Sequence, residues 1–249
     1  MVKRNSMNKT PYDIEHEIEG SHWWFVVRKK LLKSILSSIH LPSECLTLDI
    51  GCGAGSNLKT LRSAGLNVIG FDRSIYALSL VKRKSQFPLI NGDLNMLPIQ
   101  PKSIGLIIAM DILEHLENDV NGIREFYQVL KEGGILILTV PAFKFLWGIQ
   151  DRVTGHKRRY SRYEVLSKLS NQGFDILKSS YFNFFLFFPI LLARRVIHLL
   201  GLRIESENEI NSPNINILLK AIFSLETYIL KYFQFPFGVS IFCIARKMK

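Results

Sequence analysis

The sequence is short of cysteine, short of acidic residues relative to basic ones, and without a long uncharged apolar run. Each shortage removes a class of protein. Its three cysteines, Cys45, Cys52 and Cys243, have neither metal-binding nor redox spacing. They read as small buried hydrophobes in a reducing compartment, which excludes a disulfide scaffold, and no metal is expected. Met1 to Thr10 is polar and basic with no apolar centre, unlike a secretory leader. The expected location is therefore cytoplasmic. No segment supplies the ~20 uncharged residues needed to cross a bilayer. Acidic residues number 21 against 32 Lys and Arg, a formal net charge of +11. That balance favours an anionic partner: nucleic acid, an acidic membrane surface, or a phosphorylated or carboxylated substrate.

What the chain has in quantity is apolar material, 47% of 249 residues with 17 Phe. This is enough for one large domain, or for a domain with an appendage. Leu46, Leu48 and Ile50 form an apolar run that breaks into glycines at 51, 53 and 55. A buried parallel strand turning through a tight loop into a helix reads this way. A second apolar run, Val68 to Phe71, closes on Asp72, 21 residues after Gly51. That is close to the ~20 residues separating a nucleotide loop from the carboxylate that holds ribose hydroxyls. The unit is read as a nucleoside-binding βαβ.

A dinucleotide fingerprint would require Gly where Ser56 stands. The glycines fall instead as G-x-G-x-G after Asp49. The run Asp49-Ile50-Gly51-Cys52-Gly53-Ala54-Gly55 resembles motif I of the class I S-adenosylmethionine-dependent methyltransferases. Further segments extend the resemblance over residues 22 to 180, resuming at 239. His22-Trp23-Trp24-Phe25 followed by Arg28 is similar to the entry segment of many bacterial members, where it implies a lid over the cofactor. Packing of the two Trp against the body of the domain is the alternative. Asn91-Gly92-Asp93 is similar to the strand end whose Asp bonds the adenine amino group, although a surface-turn Asp has the same appearance. Ile104 to Met110 leads into Asp111-Ile112-Leu113-Glu114-His115, similar to the family's segment after strand four that lines the methionine end. Gly155-His156-Lys157-Arg158-Arg159-Tyr160 resembles a signature of the same subfamily.

The resemblance implies an α/β, Rossmann-like seven-stranded methyltransferase fold. Its sheet is mostly parallel with an antiparallel last strand, and a helical insertion lies between strands six and seven. S-adenosyl-L-methionine is the implied cofactor, held by Asp49, Gly51, Cys52, Gly53, Gly55, Asp72, Arg73, Asp93, Leu94 and Met110. His156 and His115 are candidate bases, and His115 has the alternative of capping and packing its turn. Trp147, Arg158, Arg159 and Tyr160 are the candidate acceptor-binding residues, with the two arginines gripping an anion bidentately.

The expected organisation is an N-terminal segment and lid helix over 1–45, the cofactor-binding core over 46–181, an apolar helical insertion over 182–237, and the last core strand over 238–249. A helix from Val120 to Leu130 should stop at Lys131-Glu132-Gly133-Gly134. The insertion contains two apolar stretches, Phe182 to Leu202 and Ile215 to Phe237, joined by the polar Arg203 to Asn214. They suit helices lying in a membrane interface, peripheral on its inner face, or equally a hairpin packed on its own domain or on a second subunit. The expected acceptor is a small molecule or a lipid-linked one. Nucleic acid is disfavoured, because no N-P-P-Y or D-P-P-Y motif follows strand four and the added helices are greasy rather than basic. An NAD-dependent oxidoreductase and a non-catalytic membrane-associated protein with a nucleoside-binding fold are the rivals.

Overall fold

Leu48, Ile50, Leu106, Ile107, Ile108, Leu136, Ile137 and Leu138 are all buried. Unbroken apolar runs of this kind form strands that are covered on both faces. In the computed structural model, which describes residues 11–41, 45–200 and 212–248, they build the centre of a seven-stranded sheet. The strands are β1 (Leu46–Ile50), β2 (Asn67–Asp72), β3 (Leu89–Asn91), β4 (Ile104–Met110), β5 (Leu130–Pro141), β6 (Phe174–Phe182) and β7 (Ser240–Lys247). Their order is β3-β2-β1-β4-β5-β7-β6. All neighbours from β3 to β5 are parallel, while β7 is antiparallel to both β5 and β6. The expected fold class is the one found.

Nine α-helices are described: α1 (Pro11–Ile18), α2 (Trp23–Leu36), α3 (Ser56–Ser63), α4 (Ile75–Lys84), α5 (Asp119–Val129), α6 (Ile149–Val153), α7 (Arg162–Asn171), α8 (Phe187–Leu199) and α9 (Pro213–Ile229). The chain winds outward from β1 to β3 and then crosses to β4. The C-terminal ends of β1 and β4 therefore flank the crevice where open α/β sheets bind ligands.

One boundary differs from expectation. Helix α5 ends at Val129, close to the expected end, but Lys131–Gly134 lies inside β5, which begins at Leu130 and not at Ile135. Its glycines let the strand bulge: Ile104 pairs with Leu130 whereas Leu106 pairs with Ile135, so β5 carries extra residues, with Gly133 at φ +74.

The Trp pair packs against the insertion. Trp24 stacks on Phe182 and Phe223, and Trp23 meets Phe223 edge-on. Trp23 N–H donates to Asn216 Oδ1 at 2.7 Å, fastening α2 to α9. The start of the insertion is held by Glu226 of α9, a buried carboxyl that accepts the N–H groups of Asn183, Phe184 and Phe185. Burial pushes that carboxyl up to about 7 against the pull of these bonds.

The outer faces of the two insertion helices stay apolar and exposed. Phe188, Leu192, Val196 and Leu199 of α8 do so, as do Ile217, Leu218, Leu225 and Tyr228 of α9. No helix among the described residues is long and apolar enough to cross a membrane. Most of the polar Arg203 to Asn214 link lies outside the described residues.

Candidate active site

The loop after β1 is shaped by its glycines. At Gly51, φ is +69 and a Cβ would stand 1.9 Å from Ile112 Cδ1, so the loop after β4 presses directly on it. At Gly53, φ is +51 and a Cβ would meet nothing within 4 Å. The backbone there borders open space, as a cradle for a ligand must. Gly53 N–H donates to Asp72 Oδ2 at 2.8 Å, and Ser74 N–H donates to Oδ1 at 2.8 Å. Asp72 thus stands at the lip of the loop with lone pairs remaining on both oxygens.

Asp49, at the end of β1, is 1% exposed; Oδ1 accepts from Asn57 Nδ2 at 3.4 Å, while Oδ2 has no hydrogen-bond partner. Burial pushes this carboxyl up to about 7. An unpaired buried carboxyl beside a glycine cradle suits a cationic ligand group. Cys52, Leu94 and Met110 are buried, and Arg73 is exposed. Asp93 is exposed and turns back on itself, its Oδ1 accepting from the N–H and Nδ2 of Asn95 at 2.9 Å each. That is the geometry of a surface Asx turn.

Across the crevice the chain leaves β4 through Asp111, a non-glycine residue at φ +58. Such a conformation is costly and is held here by neighbours on both sides. Asp111 N–H donates to the Thr139 carbonyl, Thr139 Oγ1 donates to Asp111 Oδ1 at 3.0 Å, and Arg28 of α2 reaches Oδ2 at 3.1 Å. The entry helix thus lies over this loop through Arg28 as well as packing on α9. A 3-10 turn, Leu113–His115, follows. Its Glu114 is fully buried, and burial together with the nearby Asp111 charge holds its carboxyl well above the usual range. His115 is lowered to about 4, chiefly by burial and then by His156. The two imidazoles meet edge-on, centroids 4.8 Å apart.

His156 comes from the loop after α6, brought in by Lys157 N–H donating to the Glu114 carbonyl at 2.8 Å. Its Nδ1 lies 2.8 Å from Asp151 Oδ1. Burial pushes the Asp151 carboxyl up, but bonds from His156, Arg159 and the Gly148 N–H outweigh it and hold the group well below its ordinary value. Sequence alone does not mark Asp151 as a site residue. Among many acids, nothing in the sequence marked it as the partner of both His156 and Arg159.

The acceptor-binding set changes in this light. Arg159, 4% exposed, makes its bidentate grip on Asp151 at 2.8 and 3.0 Å and gives Nη1 to the Ala142 carbonyl. Its donors face inward, so the expected grip on an anionic acceptor is not what the side chain does. Tyr160 is 1% exposed and its hydroxyl donates to Asp119 Oδ2 at 2.9 Å. It is a core residue rather than a ligand contact. Arg158 donates to the Leu116 and Glu117 carbonyls and lies 3.3 Å from Asp119. These three residues hold the His156 loop in place. Trp147, by contrast, is 39% exposed, two residues after the exposed Phe145, in the segment that follows the C-terminal end of β5.

Residues 48–138 match the family model described as a methyltransferase domain. The chain is 33% identical over 114 residues to an uncharacterised protein of Methanocaldococcus jannaschii, covering 45% of this chain and 43% of that one. It is 25% identical over 132 residues to a Mycolicibacterium smegmatis protein named as a probable S-adenosylmethionine-dependent methyltransferase, covering 52% and 51%. The match thus spans about half the length of these curated relatives. Among solved structures, an S-adenosylmethionine-dependent methyltransferase from Mesorhizobium loti has the same fold, with a TM-score of 0.60 at 15% identity over 92% of this chain and 100% of that one. The sheet order is that of the S-adenosylmethionine-dependent methyltransferase fold, and the glycine loop at its switch point lies within residues 48–138, the stretch that matches the methyltransferase domain.

Proposed function

We propose that this protein transfers the methyl group of S-adenosylmethionine to a small or lipid-linked acceptor, working at a membrane surface. The observation that carries the first half is the cradle at Gly53, open where a Cβ would stand and edged by the Asp72 carboxylate. The residues fit the cofactor. Asp72 has lone pairs left for the ribose hydroxyls, and the unpaired Asp49 Oδ2 suits the methionine ammonium. The N–H groups that begin α3 suit its carboxylate. The cofactor supplies a methyl already activated on a sulfonium. The chain's own work is therefore to hold an acceptor in line and keep water out, and alignment alone is worth several kcal/mol.

In this reading Trp147 and Phe145 contribute the acceptor side together with His115 and His156. As the candidate bases, the two imidazoles would act on the acceptor's nucleophilic atom. A lipid-linked acceptor is favoured because the segment carrying Phe145 meets the insertion. Phe145 meets Phe187 of α8 edge-on, and Arg194 of α8 donates to the Leu146 carbonyl. The exposed apolar face of α8 thus adjoins the Phe145–Leu146 segment, and the net charge of +11 suits an anionic lipid surface. An NAD-dependent oxidoreductase is disfavoured by the glycine frame.

The deciding assay incubates the purified chain with methyl-labelled S-adenosylmethionine and, separately, the lipid and water-soluble fractions of a cell extract. Label appearing in the lipid fraction supports the full reading. Label confined to the soluble fraction keeps the transfer and removes the lipid, and label in neither removes the transfer.

A further inference from the structure

Glu114 has no hydrogen-bond partner on either carboxylate oxygen, although the residue is completely buried. Leaving a carboxylate in this state costs several kcal/mol unless it takes up a proton or a cation joins it. The cations of the surrounding elements are already engaged: Arg28 with Asp111, and Arg159 with Asp151 and the Ala142 carbonyl. Two imidazoles face the orphaned carboxylate instead. His156 Nε2 is 3.8 Å from Glu114 Oε1, and one ligand atom each from Glu114, His115 and His156 fall within 4.8 Å of one another.

From this constellation we propose that Glu114, His115 and His156 bind a first-row divalent transition ion such as Zn2+.

The imidazole of His156 is prepared for such a role. Its Nδ1 lies 2.8 Å from Asp151 Oδ1, and a carboxylate can only accept, so Nδ1 carries the proton and the Nε2 lone pair points toward Glu114 in the neutral ring. Asp151 is itself fixed by Arg159 and by the Gly148 N–H at 2.7 Å. A ring nitrogen bonded to a carboxylate while the other faces a cation is the usual support of a metal-binding histidine. Two imidazoles with one carboxylate suit Zn2+, Fe2+, Co2+ or Ni2+ better than Mg2+ or Ca2+, which favour all-oxygen sets. Ligand atoms about 2.1 Å from one ion stand roughly 3 to 4 Å apart, so closing this trio asks for side-chain movement of about 1 Å. Three protein ligands leave positions open for another molecule. If the methyl-transfer reading holds, an acceptor hydroxyl would take one of them and lose its proton more readily on the ion. The binding itself does not depend on that reading.

This departs from the expectation of no metal. Glu114 and His115 are adjacent, but His156 is 41 residues away. No compact ligand spacing marks the trio, which only the contact between the turn after β4 and the loop after α6 assembles.

The test uses the full chain, freed of metal with EDTA, with neither S-adenosylmethionine nor acceptor present. Co2+ is titrated while its visible absorption is followed, and Zn2+ is titrated by calorimetry. We expect saturation at about one ion per chain, and affinity at least about tenfold weaker in Glu114→Gln and in His156→Ala. Both variants should keep a cooperative melt in EDTA, and Zn2+ should raise the melting temperature of the wild type alone. Glu114→Gln preserves shape and removes a buried charge, so it carries the decision if His156→Ala fails to fold. Absence of saturable binding, or wild-type affinity in Glu114→Gln, overturns the proposal. Neither result bears on cofactor binding, which is measured separately.

Discussion

Gly53 N–H donates to Asp72 Oδ2 across 2.8 Å, joining the loop after β1 to the end of β2. The Ser74 N–H on Oδ1 makes the same carboxylate the start of the turn into α4, whose own N-cap is Ser74 Oγ accepting from Ala77 N–H at 3.2 Å. One side chain therefore sets the mouth of the cradle and the entry to the next helix. Asp72→Ala leaves two N–H groups without their acceptor and should cost about 1 to 3 kcal/mol in urea unfolding.

Gly51 tests the contact between the two sides of the crevice. A Cβ there meets Ile112 Cδ1 at 1.9 Å, and the backbone has φ +69. Gly51→Ala should destabilise by about 2 to 4 kcal/mol through overpacking and left-handed strain. Ile112→Ala added to it should recover the overpacking part, leaving the strain. Equal stability of the single and double variants would show that Ile112 is not the obstacle.

Arg159 and Arg158 are neighbours in sequence with different work. Arg159→Leu strands the buried Asp151 carboxylate and should cost about 3 to 5 kcal/mol. Arg158→Ala removes bonds from a more exposed side chain to two carbonyls and should cost about 1 kcal/mol. Chemical denaturation of both variants measures the difference, and similar costs would contradict these roles.

His22 should make stability depend on pH. It caps α2 with Nδ1 accepting from Trp24 N–H at 3.3 Å, a bond only the unprotonated nitrogen can make, and burial lowers it from 6.5 to about 4. Because the folded value lies below the unfolded one, the unfolded chain takes up the proton first on acidification. The stabilisation is complete above pH 6.5 and is lost as pH falls toward 4, on the order of 3 kcal/mol over the whole window. His115, also lowered to about 4, adds to the same slope. His22→Asn keeps a capping side chain and should flatten the slope of unfolding free energy against pH by about one proton. An unchanged slope would mean that His22 titrates alike in both states.

Membrane docking rests on the outer face of α8. Phe188 is 64% and Leu192 67% exposed, so Phe188→Ser with Leu192→Ser should leave the melting temperature nearly unchanged. The wild type should float with anionic vesicles and the double variant should remain mostly in the soluble fraction. Wild-type protein that stays soluble would remove the docking.

Legibility from sequence followed the range of the forces involved. The cradle could be read because Gly51, Gly53 and Asp72 sit at fixed offsets on consecutive elements, and the strands because their apolar runs are continuous. Lys131–Gly134 reads as a loop between helix and strand because Gly-Gly after a helical segment has that meaning locally. What overrides it is pairing with β4, which a local window does not contain. Arg159 and Tyr160 look like ligand contacts from composition. Their partners Asp151 and Asp119 are supplied by tertiary packing, which also gathers Glu114 with His156.

The most direct measurement is calorimetric titration of the purified chain with S-adenosylmethionine and with its demethylated product. We predict saturable heat with both compounds at about one site per chain, and affinity lowered at least about tenfold in Asp72→Ala. A folded wild-type chain that releases or absorbs no heat with either compound would contradict the account.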